Sequence, residues 1–106
     1  MTINLDALVA DDRLPRVVLF GRTLTVRALT GAQAHALATA EEDKTGGAML
    51  AALLRVVAQA VPGLTDEEVD ALSIEQLGAV VALTRGGVAE VEAQLVAAKG
   101  EDAAGN

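Results

Sequence analysis

Apolar positions along the chain change their spacing twice, and each change marks a different kind of element. In residues 4–10, Leu5, Leu8 and Val9 recur at helical spacing behind Asn4, whose side chain suits a helix cap. This predicts a short amphipathic segment over 1–12, too short to stand alone as a helix. Pro15 ends it, because the residue before a proline is pushed toward extended geometry. From Arg16 to Arg27 the period falls to two. Val17, Leu19, Leu24 and Val26 fall on one side of an extended ribbon, and Val18, Phe20, Thr23, Thr25 and Arg27 on the other. Gly21-Arg22 between the two runs predicts a β-hairpin with a type II′ turn, glycine supplying the positive φ at the first central position. That register sets Leu19 opposite Leu24 and Val17 opposite Val26. Since a two-stranded hairpin is marginal by itself in water, its apolar side is expected to rest on the protein's own helices. The mixed side, Val18, Phe20, Thr23, Thr25 and Arg27, is then a candidate partner-binding surface with free strand edges, unless the N-terminal segment covers Phe20.

After the hairpin the helical period returns. Thr30 with Gln33 forms a capping-box signature and predicts a helix from Gly31 to about Glu41, with Ala32, Ala36, Leu37 and Ala40 inward. Gly46-Gly47 separates it from the most apolar helix, predicted over 48–61, whose stripe is Leu50, Leu53, Leu54, Val57 and Val61 with Met49 and Val56 beside it. Pro62-Gly63 stops that helix. Thr65 with Glu68 opens a short helix ending near Leu72, and Ser73 with Gln76 opens the last one. There Ile74, Leu77, Val81, Thr84, Val88, Val91 and Leu95 alternate steps of three and four, which is heptad spacing. Two readings of this seam stand side by side. It packs inside its own domain, or Ile74, Leu77, Val81, Val88, Val91 and Leu95 form a self-association surface of a homo-oligomer. Gly86-Gly87 lies off the seam and favours a kink or break. The fold class is therefore α+β, mostly α: an N-terminal β-hairpin on a bundle of about four helices. One domain spans 13–98, the amphipathic segment 1–12 precedes it, and a flexible polar tail at 99–106 follows.

Composition narrows the chemistry. With 106 residues, 52% of them hydrophobic, the chain supports one core. Its single aromatic residue, Phe20, leaves that core to Leu, Val, Ile and Ala. The formal charge of -7 repels a polyanion, so nucleic acid is not an expected partner. No segment has the make-up of a signal peptide or of a membrane span. Cysteine is absent, which removes thiolate chemistry and the usual zinc sites. His35 stands among alanines with no second ligand or nucleophile near it in sequence. The acidic runs Glu41–Asp43 and Asp66–Glu68 lack the alternating ligands of a calcium loop and read as solvated faces. The glycine pairs lack the lysine of a phosphate loop. No catalytic residue, cofactor, metal or small-molecule substrate is expected, and an interaction protein is the favoured class.

The ordered layout adds a family. Leu5-Asp6-Ala7-Leu8, then Val17-Val18-Leu19-Phe20-Gly21-Arg22-Thr23-Leu24-Thr25-Val26, a helix from Thr30, and Leu64-Thr65-Asp66-Glu67-Glu68-Val69-Asp70-Ala71-Leu72 together resemble the tail assembly chaperones of long-tailed phages, the siphophages. The resemblance covers most of the chain and rests on layout and on the glycine-containing hairpin. It implies a small non-enzymatic phage or prophage protein in the host bacterial cytoplasm. Such a protein binds the tape measure protein, with the tail tube subunit as a further client, and does not remain in the virion. Two other classes stand beside it: a head-tail or neck component that forms a ring in the particle, and an acidic, antitoxin-like regulatory module.

Overall fold

Each of the three Ser/Thr-x-x-Glu/Gln signatures starts a helix at the residue it predicts. The computed structural model describes residues 1–105, with side chains for all of these except Asp11 and 99–105. In chain order it contains two 3₁₀ turns (Leu5–Val9 and Asp11–Arg13), β1 (Arg16–Leu19), β2 (Arg22–Thr25), α1 (Gly31–Ala40), α2 (Gly47–Ala60), α3 (Asp66–Asp70), α4 (Ile74–Thr84) and α5 (Val88–Gly105). The protein is mostly helical with an N-terminal two-stranded antiparallel hairpin. At α1, the Gln33 amide donates to Thr30 Oγ1 at 3.1 Å while Gln33 Oε1 accepts from the Thr30 amide at 2.9 Å. Thr65 with Glu68 and Ser73 with Gln76 repeat the same reciprocal pair. Each box satisfies two backbone donors that a helix start otherwise leaves open.

α2 is the centre of the bundle, packed against α1, α3 and α4. Val56, Val57 and Ala60 are its buried residues. Its buried arc is rotated from the expected stripe, with Leu50 exposed and Val56 inside. Neighbours on more than one side widen and recentre the arc that a single-face reading assumes. Val26, Val61, Leu64, Val69 and Leu77 complete the core with these residues and Leu37.

The hairpin forms, in a different register from the expected one. Val17 pairs with Leu24, Val18 with Thr23 and Leu19 with Arg22. The two-residue loop is therefore Phe20-Gly21, with positive φ at both residues (54° and 73°), as in a type I′ rather than a type II′ turn. Phe20 leaves the strand and sits at the turn. Because the slip is by two positions, the faces keep their parity, and Val17, Leu19 and Leu24 all pack toward the core. Tertiary contacts outweigh the local turn preference. Val26 is fully buried just past β2, and its amide donates to Pro15 O at 2.9 Å. The next amides bond to the ends of two helices, Arg27 to Ala60 O at 2.8 Å and Leu29 to Thr84 O at 3.0 Å.

The expected break near Gly86 is complete. Gly86, at φ 81°, donates to Leu83 O at 3.0 Å, and Gly87 donates to Ala82 O at 2.8 Å. This pair of bonds is the Schellman closure of a helix, so α4 and α5 are separate. At the other end of the chain, Asn4 caps the first 3₁₀ turn by accepting from the Asp6 amide at 3.1 Å, and none of that turn is buried. The tail expected to be flexible over 99–106 is instead the end of α5 through Gly105; the side chains of 99–105, and Asn106, lie outside the described residues.

Candidate interaction groove

In the antiparallel ladder the pairs Leu19 with Arg22 and Val17 with Leu24 exchange backbone hydrogen bonds, in phase with the Val26 to Pro15 bond. Arg16 and Val18 alternate with them, so their amides and carbonyls point away from β2, along the outer edge of β1. That edge forms one wall of an apolar groove of about 670 Å³. Five consecutive residues, Pro15 to Leu19, line it, as expected when a strand presents its edge rather than one face. Val80 and Leu83 of α4 and Val88, Val91 and Leu95 of α5 form the other wall; the charged lining residues are Arg16 on the β1 side and Glu92 on α5.

The groove unites residues that the sequence assigned to two different surfaces. Val18, 71% exposed, came from the hairpin's partner face, whereas Val88, Val91 and Leu95 came from the heptad seam. The remaining candidates are placed elsewhere. Thr23 is exposed opposite Val18, Thr25 is half-buried, and Arg27 is exposed beyond β2. Phe20, 50% exposed, stands in the turn, and the N-terminal segment, itself exposed, does not bury it.

The heptad seam is not one surface. Leu77 (2% exposed) and Val81 are core residues, Ile74 is exposed at the start of α4, and the glycine break separates all three from Val88, Val91 and Leu95. Leu77 and Val81 are thus unavailable for self-association, because both are buried in the core cluster of this chain. Val80 and Leu83 were missed as groove residues since they lie off the seam; their signal was the i, i+3 step between them.

Two polar arrangements frame the hairpin and α2. Arg22 Nη2 donates to Glu68 Oε2, and Arg22 Nη1 donates to Gly63 O at 3.2 Å. Glu68 also accepts from the Thr65 amide, and that bond, aided by Arg22, holds its carboxyl below the usual carboxylate value. Asp43 accepts from the Ala48 amide at 2.9 Å and from the Thr45 amide at 3.0 Å, so it caps α2 where Gly46 has no side chain to do so. Its carboxyl is lowered, first by the Ala48 bond and then by Thr45. The Glu41–Asp43 run, expected to be a purely solvated face, contains this cap.

A second cavity of about 610 Å³ lies between α1 and α2, lined largely by alanines together with His35, Arg55, Gln33 and Gln59. Gln33 donates to Gln59 at 2.7 Å across it. Among the described residues, no three His, Asp or Glu side chains are arranged to hold a metal ion. Nor is any helix among them long and apolar enough to cross a membrane. No protein-family model, curated protein or solved structure matches the chain.

Proposed function

We propose that this protein is a non-enzymatic assembly chaperone of a long-tailed phage or prophage, working in the host bacterial cytoplasm. Its client is the tape measure protein, with the tail tube subunit as a further client. The layout of leader, hairpin and helices supports the family. The observation that carries a binding role is the apolar groove lined by the exposed residues Val18, Val88 and Leu95, beside a strand edge with unused hydrogen-bonding groups. A long amphipathic client helix needs its apolar stripe covered before assembly, and a few apolar anchors suffice for capture. The net charge of -7 helps keep a loaded complex soluble.

Co-expression with a tape measure protein from the same genome tests this reading. The tagged protein is expected to retain the client, and Val18→Glu to release it while keeping a native circular dichroism spectrum. No capture by the wild type, or equal capture by the variant, rejects it. The free edge of β1 also favours a second reading, a ring-forming head-tail or neck component. Mass spectrometry of purified particles separates the two, because only the structural component stays in the virion.

A further inference from the structure

Charge is segregated along this acidic chain. Residues 13–40 contain Arg13, Arg16, Arg22 and Arg27, half of the eight basic residues, and none of the fifteen acidic ones. Arg22 is engaged by Glu68, whereas among the described residues no carboxylate pairs with Arg16 or Arg27, and both are exposed. Arg16 and Val18 share the hairpin's outer face with their cross-strand partners Thr25 and Thr23. The net charge of -7 therefore misdescribes the hairpin, whose surface is cationic.

Arg16 also lies on the open edge of β1, where its amide and carbonyl, with those of Val18, point away from β2. An extended chain pairing with these two residues divides its side chains between two environments. On the inner face they enter the groove against Leu83, Val88, Val91 and Leu95, where the one charged wall residue is Glu92. On the outer face they stand beside Arg16 and Val18, with Cβ atoms about 5 Å apart across the pair. The inner side rejects a carboxylate and the outer side attracts one. Charges farther than about 8 Å are largely screened at physiological ionic strength, so a carboxylate in contact with Arg16 is governed by Arg16. An arginine on a free edge also discourages pairing with an identical edge, which favours a foreign chain of opposite charge over a second copy.

We propose that the edge of β1 binds an extended segment of a partner protein, with a carboxylate on its outer side and apolar side chains on its inner side. Running antiparallel to β1, the segment sets Asp or Glu beside Arg16, an uncharged residue beside Val18, and apolar residues beside Val17 and Leu19 in the groove. Backbone bonds to Arg16 and Val18 hold it. The carboxylate fixes its register, because a slip of one residue turns the charge into the apolar trough. The proposal stands apart from the functional reading, since a peptide tests the edge and co-expression tests the client.

The probe is an amidated, N-terminally labelled peptide, Thr-Leu-Thr-Val-Glu-Leu-Thr, and its control carries Lys in place of Glu. By fluorescence anisotropy the wild type should bind the Glu peptide about tenfold more tightly than the Lys peptide. Arg16→Glu changes an exposed side chain outside the core. It should reverse that order while the circular dichroism spectrum stays native. The bound Glu peptide should slow amide exchange at Arg16 and Val18. No binding of the Glu peptide, equal binding of the two, an order unchanged in Arg16→Glu, or an unprotected Val18 amide overturns the proposal. A wild-type preference for the Lys peptide overturns it as well, assigning recognition to the overall negative charge.

Discussion

Arg22, at the start of β2, donates to Glu68 of α3, 46 residues further along the chain, while the other oxygen of that carboxylate accepts from the Thr65 amide. One side chain therefore anchors the hairpin and completes a helix cap. Both bonds favour the ionised form, so the folded-state pKa lies below the ordinary 4.5. A depressed carboxylate adds stability above its unfolded pKa and loses it as pH falls through the folded value. Asp43 behaves alike from its ordinary 3.8. Denaturant midpoints should be flat near neutrality and fall below about pH 4.5. Glu68→Gln keeps a capping-box acceptor but removes the ion pair. It should lower the neutral midpoint and shrink, without abolishing, the acid-linked fall. An unchanged pH profile in this variant would count against both the Thr65 and the Arg22 bonds to this carboxylate.

Phe20 holds a left-handed φ of 54° in a turn where both central residues have positive φ. A residue with a Cβ carries a cost of about 1–2 kcal/mol there, and asparagine tolerates the region better. Phe20→Asn should accordingly raise stability by about 1 kcal/mol, read as a higher Tm with an unchanged far-UV spectrum.

The closure of α4 depends on both glycines after it. Gly86→Ala places a Cβ at φ 81° and should cost about 1–2 kcal/mol. A Cβ on Gly87 would lie 2.9 Å from the Ala82 carbonyl oxygen, and the displaced backbone should cost about 1–3 kcal/mol. Urea denaturation of each single variant checks both values.

Leu77 and Leu95 share one heptad seam in the sequence but not in the fold. Leu77→Ala empties a core position and should destabilise by about 2–5 kcal/mol. Leu95, 57% exposed, should change monomer stability by no more than about 0.5 kcal/mol when cut to alanine. Similar losses at the two positions would show that α5 is packed more deeply than its exposure indicates.

Asp43→Ala removes the acceptors that order the start of α2. A lower Tm and faster amide exchange at Ala48 are expected, with exchange at Val57 altered least.

Local chemistry made much of this protein legible before any coordinates. Each capping box joins residues three apart, so Thr30, Thr65 and Ser73 announce their helices without reference to the rest of the chain. The same holds for the parity of the hairpin faces and for the stop at Gly86-Gly87, which depend on backbone period and on a left-handed φ. Register and partnership needed the tertiary structure. Gly21-Arg22 is the better turn locally, but the loop is Phe20-Gly21, the register in which Arg22 opens β2 and reaches Glu68 of α3. Leu77 and Leu95 have the same spacing and similar hydrophobicity, and only the position of α2 places one in the core and the other along the groove. Periodicity records which residues share a face; what lies opposite that face is a property of segments far apart in the chain, brought together when their apolar surfaces leave water.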